Sequence, residues 1–269
     1  MYEAFFGLAQ PPFNMTPDPR FVYLSRHHQA ALSAMCYGVE RRTGFIQITG
    51  EIGAGKTTLS RAFLRQLGEN VHSSLVFNPK LSELELLQEI VEDFGLKPKS
   101  RRRKDYFDCL NRFLLEESAK GFNAVLIIDE AQLLPPRALE QIRLLSNLET
   151  ATQKLLQIIL MGQPELKDLL KRPDLKQLRQ RITVRCHLPE LSLEEVQQYI
   201  AHRLNVAGAS ENFFTAEAMQ RIYELSSGVP RVINVLADRA LLAAYTRNVR
   251  IIDPVLVECA EADLEGVFV

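Results

Sequence analysis

Gly50-Glu51-Ile52-Gly53-Ala54-Gly55-Lys56-Thr57-Thr58 lies between the apolar run Phe45-Ile46-Gln47-Ile48-Thr49 and the segment Leu59-Ser60-Arg61-Ala62-Phe63-Leu64. The order predicts a strand, a glycine loop and a helix. Its spacing fits G-x-x-x-x-G-K-[ST], in which glycines let the backbone curl so that successive N–H groups point inward at phosphate oxygens. The helix beginning near Lys56 adds the positive end of its dipole. Lys56 can then reach the outer phosphates of a nucleotide, and the Thr57 hydroxyl is placed to ligate Mg²⁺, with Thr58 a helper at most. ATP and Mg²⁺ are therefore the expected cofactors, held by residues Gly50, Glu51, Ile52, Gly53, Ala54, Gly55, Lys56, Thr57 and Thr58. The bare pattern arises by chance in on the order of one per cent of chains this long, and the strand before it and helix after it remove most such accidents.

A second stretch, Ala124-Val125-Leu126-Ile127-Ile128-Asp129-Glu130-Ala131-Gln132, reads as a strand buried on both faces that ends in two carboxylates. In a doubly wound sheet the carboxyl ends of the strands gather at one edge, which brings Asp129 beside the glycine loop. There Asp129 can hold Mg²⁺, usually through water, and Glu130 can orient and deprotonate an attacking water.

Outward from these two motifs the pattern is strand and helix in alternation. Ser74-Leu75-Val76-Phe77-Asn78 predicts a second strand, stopped by Pro79; Leu155 to Gly162 a fourth, ending at Gln163; and Ile182 to Leu188 a fifth. Helices are expected at Arg26–Arg41, from the capping box Ser82-Glu83-Leu84-Glu85 to Phe94, at Asp105–Ala119 and at Pro135–Leu148. Past Pro189 only helices are predicted, opened by Ser192, Thr215, Pro230 and Asp253-Pro254. The expected organisation is a strap over residues 1–25, an α/β nucleotide-binding domain over 26–190 and a helical domain over 191–269. In the strap, prolines at positions 11, 12, 17 and 19 argue against a regular helix. Its aromatics predict an extended arm across the main domain, whose Pro-rich turn is either a wall for the adenine base or simple packing.

A content of 46% hydrophobic and 24% charged residues is that of an ordinary globular protein, and the formal net charge of -1 supplies no overall attraction to nucleic acid or membrane. The four cysteines, Cys36, Cys109, Cys186 and Cys259, form no C-x-x-C and suit a reducing compartment. No apolar run approaches a membrane span and the N-terminus carries no signal-peptide pattern, so a cytoplasmic location is expected. Lys97, Lys99, Arg101, Arg102, Arg103 and Lys104 form a basic loop, read as solvated or as a contact for lipid, nucleic acid or a partner.

In its motifs the chain resembles the AAA+ ATPases, and among them the general secretion pathway protein A (ExeA) family. The carriers include Tyr2-x-x-Phe5-Phe6-Gly7-Leu8, Thr16-Pro17-Asp18-Pro19, Gly50 through Thr58, Ile128 through Gln132, Leu144 through Glu149, Gly162 through Leu166 and Leu178 through Ile182. The resemblance implies an AAA+ P-loop core, a five-stranded parallel sheet flanked by helices, followed by a small all-α lid. It implies that Lys56 and Thr57 are the Walker A pair and Asp129 and Glu130 the Walker B pair. Gln163 falls at the sensor 1 position, where many AAA+ proteins have Asn or Thr. Arg231, in Gly228-Val229-Pro230-Arg231, matches the lid arginine that reaches the γ-phosphate. Arg181, with Arg179 as rival, lies where an arginine finger acts on a neighbouring subunit. Asn78 matches the polar residue that restrains the catalytic glutamate, or is a turn-former before Pro79. The implied function is an ATPase serving type II secretion, type IV pilus assembly or exopolysaccharide export. Nucleotide-dependent homo-oligomers and an envelope partner come with it, at the inner membrane through that partner or a missing C-terminal segment. The alternatives are a transposition-type DNA ATPase, opposed by the neutral charge and the lack of a DNA-reading module, and a nucleotide-gated scaffold with little turnover.

Overall fold

The computed structural model describes residues 1–15, 18–77 and 81–264, and the chain forms two compact units. One comprises Met1–Arg26, Ile52–Thr58 and the chain from Pro189 on; the other comprises His27–Glu51 and Leu59–Leu188. In chain order the elements are α1 (Tyr2–Phe6), α2 (Arg26–Glu40), β1 (Phe45–Gly50), α3 (Lys56–Gln66), β2 (Val71–Val76), α4 (Glu83–Asp93), α5 (Arg103–Ala119) and β3 (Asn123–Ile128). They continue with α6 (Pro136–Leu145), β4 (Gln157–Gly162), α7 (Glu165–Leu169), α8 (Lys176–Arg181), β5 (Ile182–Leu188), α9 (Leu193–Val206), α10 (Ala216–Ser226), α11 (Pro230–Thr246) and α12 (Pro254–Leu264).

The sheet is five-stranded and parallel, in the order β2-β3-β4-β1-β5. Every residue of β1, β3 and β4 is buried, which is why these segments read as unbroken apolar runs. The exception inside β4 is Gln157, whose Oε1 accepts the Gly44 N–H at 2.9 Å and so is satisfied where it is buried. β2 and β5 are edge strands. β2 begins at Val71 rather than Ser74, because an edge strand buries only alternate positions, here Ser74 and Val76, and its polar first half carries no apolar signal. α5 begins at Arg103, so Arg103 and Lys104 belong to a helix and not to the basic loop.

The helical unit has its own core of α9–α12 residues together with Tyr2, Phe6, Leu8, Phe13 and Phe21. The N-terminal segment thus packs with the helices that follow Pro189, and it is not extended throughout. Its first residues form α1, closed by Gly7 at φ 71, because the prolines begin only at position 11. Beyond α1 the strap is held by Arg203, a buried residue of α9. Its Nε and Nη2 donate to the carbonyls of Pro12 (2.6 Å) and Asn14 (3.1 Å), and the guanidinium lies over the rings of Phe21, Tyr199 and Phe13. Packing accounts for these aromatics. The expected caps are present: Ser82 and Ser192 form capping boxes with Glu85 and Glu195, and Thr215 accepts from the Ala218 N–H.

Candidate nucleotide site

Within the helical unit the glycine loop has the backbone its sequence predicts. Gly53 and Gly55 sit at φ 81 and 95, a region that L-residues with a Cβ avoid, and α3 starts at Lys56, which is 5% exposed. The loop also passes close to the first turn of α11. A Cβ built on Gly53 would lie 2.7 Å from the Cβ of Arg231 and 3.1 Å from Cγ1 of Val229. That turn is itself fixed: Gly228, at φ 76, accepts the Leu191 N–H at 2.9 Å, and a Cβ there would collide with the Leu191 carbonyl. Pro230 then occupies the first helical turn and leaves Arg231 exposed.

Within the sheet unit, β3, β4 and β1 are neighbours, so Asp129, Gln163 and Gly50 all stand at one edge. Asp129 is 2% exposed, and its Oδ1 accepts the Glu130 N–H at 2.9 Å. Glu130 adopts φ 52 and ψ 35, a left-handed conformation that costs a non-glycine residue about 1–2 kcal/mol and marks a site where geometry is enforced. Its Oε2 accepts two amides, the Gln132 Nε2 at 2.6 Å and the Gln163 Nε2 at 3.1 Å. Gln163 therefore joins the carboxylate cluster. Gln132, quoted in the sequence motif without a role, is the residue that sequence reasoning missed. Only the backbone turn at Glu130 brings it back onto the carboxylate. Asn78 lies outside the described residues.

Arg181 ends α8, and its Nη1 donates to Ser146 Oγ and Asn147 Oδ1, both at 2.6 Å, just beyond α6. Arg179 on the same helix is exposed. Among the described residues no cluster of three or more His, Cys, Asp or Glu could hold a metal by itself. Mg²⁺ keeps several waters and takes one or two protein oxygens together with substrate phosphates. The hydroxyl of Thr57 and the carboxylate of Asp129 are oxygen donors of that kind.

The AAA domain family matches residues 39–170. General secretion pathway protein A of Aeromonas hydrophila is 47% identical over 249 residues, covering 92% of this chain and 46% of that protein. The chain is an AAA+ ATPase of the general secretion pathway protein A family. It spans about half the length of that relative. The ATP-dependent target DNA activator B of Escherichia phage Mu is 26% identical over 81% of this chain and 66% of its own length. Among solved structures, the Aeropyrum pernix ORC2 protein in its ADPNP-ADP complexes superposes with a TM-score of 0.70 at 18% identity, covering 97% of this chain and 72% of that one. Drosophila ORC bound to DNA gives 0.72 at 17% identity, covering 94% of this chain and 64% of that chain. At such identities the likeness is one of fold, and it is the fold expected of an AAA+ core with a helical lid. Among the described residues no helix is long and apolar enough to cross a membrane.

Proposed function

We infer that this member of the family binds ATP with Mg²⁺, hydrolyses it, and uses the cycle to power or license assembly of an envelope machine of the secretion, pilus or polysaccharide-export class. The N–H groups of residues 50–58 cradle the phosphates, and Lys56 neutralises the outer ones. Thr57 and Asp129 are the residues that would hold Mg²⁺, which when bound offsets charge on the β- and γ-phosphates. Glu130 orients the attacking water and takes its proton on Oε1, the oxygen that the two glutamines leave open. Arg231 supplies a cation from the first turn of α11, and Arg181 is assigned to the nucleotide of a neighbouring subunit.

The observation that carries the reading is the convergence of the Gly53 loop with the Arg231 turn in one unit, in a chain 47% identical over 92% of its length to a secretion pathway protein. The test is a pair of variants. Lys56→Ala should abolish tight ATP·Mg²⁺ binding in calorimetry. Glu130→Gln should retain binding and lose turnover by roughly 10²- to 10⁴-fold, the worth of general-base catalysis. A Glu130→Gln protein that hydrolyses ATP at the wild-type rate overturns the assignment. The partner class is tested separately, by ATP-dependent co-sedimentation with inner-membrane vesicles against salt-dependent binding to duplex DNA. Binding that appears only with DNA favours the activator-like reading suggested by the phage relative.

A further inference from the structure

Among the described residues, the side chain of Glu130 accepts hydrogen bonds on one oxygen only. Gln132 Nε2 reaches Oε2 at 2.6 Å and Gln163 Nε2 reaches the same atom at 3.1 Å, while the Gln163 backbone N–H donates to Gln132 Oε1 at 3.0 Å. Glu130, Gln132 and Gln163 therefore close a ring of three hydrogen bonds across the ends of the adjacent strands β3 and β4. The Gln132 amide is fixed at both ends. Reversing it would turn its oxygen toward a carboxylate and its N–H groups toward another N–H, so its orientation follows from its partners. The room for it is provided by Gly162, where an added Cβ would fall 2.5 Å from Gln132 Oε1. The left-handed turn at Glu130, stabilised by Glu130 N–H to Asp129 Oδ1 and Leu133 N–H to the Glu130 carbonyl, both at 2.9 Å, is what folds Gln132 back over the carboxylate. A flexible glutamate held at one oxygen has few rotamers left, and its second oxygen points one way.

We propose that Gln132 is a positioning residue for hydrolysis: it anchors Oε2 of Glu130, braced by Gln163, so that Oε1 is presented to the attacking water. The inference rests on the reading of Glu130 as the base. Gln132 touches neither water nor nucleotide in this scheme; it acts through Glu130 alone. Losing the anchor lets the carboxylate sample other rotamers, and misplacement of about 1 Å is enough to cost on the order of 100-fold in rate.

The decisive variant is Gln132→Met, which keeps the chain length and removes both hydrogen bonds. Turnover should fall roughly 10- to 100-fold while ATP·Mg²⁺ affinity stays within about 2-fold, the signature of an interaction that matters in the transition state only. Gln132→Glu, equal in shape but with no N–H to donate, should be at least as slow, and it stands in if the methionine variant misfolds. In a Glu130→Gln background, single-turnover hydrolysis of radiolabelled ATP should show no further loss on adding Gln132→Met, because the residue through which it acts is already disabled. Unchanged turnover in both Gln132 variants overturns the inference, as does an equal further loss in the Glu130→Gln background or a loss that falls on affinity and melting temperature together. If Glu130→Gln is itself fully active, the assignment of the base fails; if it is inactive and the Gln132 variants are normal, only the role of Gln132 fails.

Discussion

Gly53→Ala is the sharpest perturbation the glycine loop allows. At φ 81 an L-residue costs about 1–2 kcal/mol. The new methyl would also stand 2.7 Å from the Arg231 Cβ and 3.1 Å from Val229 Cγ1, against about 3.5–4.0 Å for a carbon pair at rest. Neither atom is the far end of a flexible chain: the Arg231 Cβ is fixed to a helix start that Pro230 and the Leu191–Gly228 hydrogen bond hold in place. Overpacking of this kind costs about 1–3 kcal/mol. The chain can escape the combined cost of about 2–5 kcal/mol by letting the loop leave its phosphate-cradling conformation, so the fold survives and the competent state becomes rare.

Calorimetric titration with ATP·Mg²⁺ should then show affinity lowered roughly 30- to 4,000-fold, at a tenfold change for each 1.4 kcal/mol. The circular-dichroism melting curve should be little changed. Adding Arg231→Gly, which deletes the Cβ that the methyl meets, should recover the steric part of the loss as a coupling in a double-mutant cycle. A Gly53→Ala protein that binds ATP within about 3-fold of wild type would mean that the bound loop does not use this backbone or does not lie against the Arg231 turn.

Arg203→Met should destabilise the helical unit by about 2–5 kcal/mol, since it strands the buried Pro12 carbonyl and removes charged hydrogen bonds worth about 1.5–3 kcal/mol each without strict additivity. Urea denaturation together with tryptic release of residues before Arg26 reads this, and an unchanged midpoint refutes it. Arg181→Ala mixed with Lys56→Ala should recover ATPase activity at mixed interfaces if Arg181 acts in trans, as an arginine supplied by a neighbour is worth about 10³–10⁵ in rate. Recovery only with Arg179→Ala would assign the finger to Arg179 and leave Arg181 as the brace on Ser146 and Asn147. Burial, aided by the Arg203 charge, pushes the His202 imidazole below its usual range. The unfolded chain therefore takes up that proton first, so stability should fall as pH drops below about 6.5, and His202→Gln should flatten that dependence in melting curves across pH.

What was legible in the sequence was what each residue does locally. β1, β3 and β4 are buried on both faces, so their composition alone identified them, and the glycine loop was legible because its backbone requires glycine at φ 81 and 95. β2 lost its first three residues to the same logic, since an edge strand needs no apolar run. Nothing local says which surface a strap will cover. Phe13 and Phe21 are as apolar as any core residue, but their partner is an arginine about 190 positions away that holds backbone carbonyls, and carbonyls carry no sequence signal.

Gln132 was hidden for a related reason. In a continuing strand, positions 130 and 132 would point to the same face at a distance set by the pleat, with no reason to bond. Its role exists only because Glu130 leaves the strand in a left-handed turn, a conformation the residue type disfavours. The strain and the hydrogen bond therefore depend on each other: Asp129 and the Glu130 carbonyl hold the turn, and the turn delivers Gln132 to the carboxylate. A residue type that conflicts with its own backbone is the kind of local inconsistency that folded proteins keep where geometry serves chemistry. The part of the site that sequence reading could not reach is thus the part where this chain departs from its own local preferences.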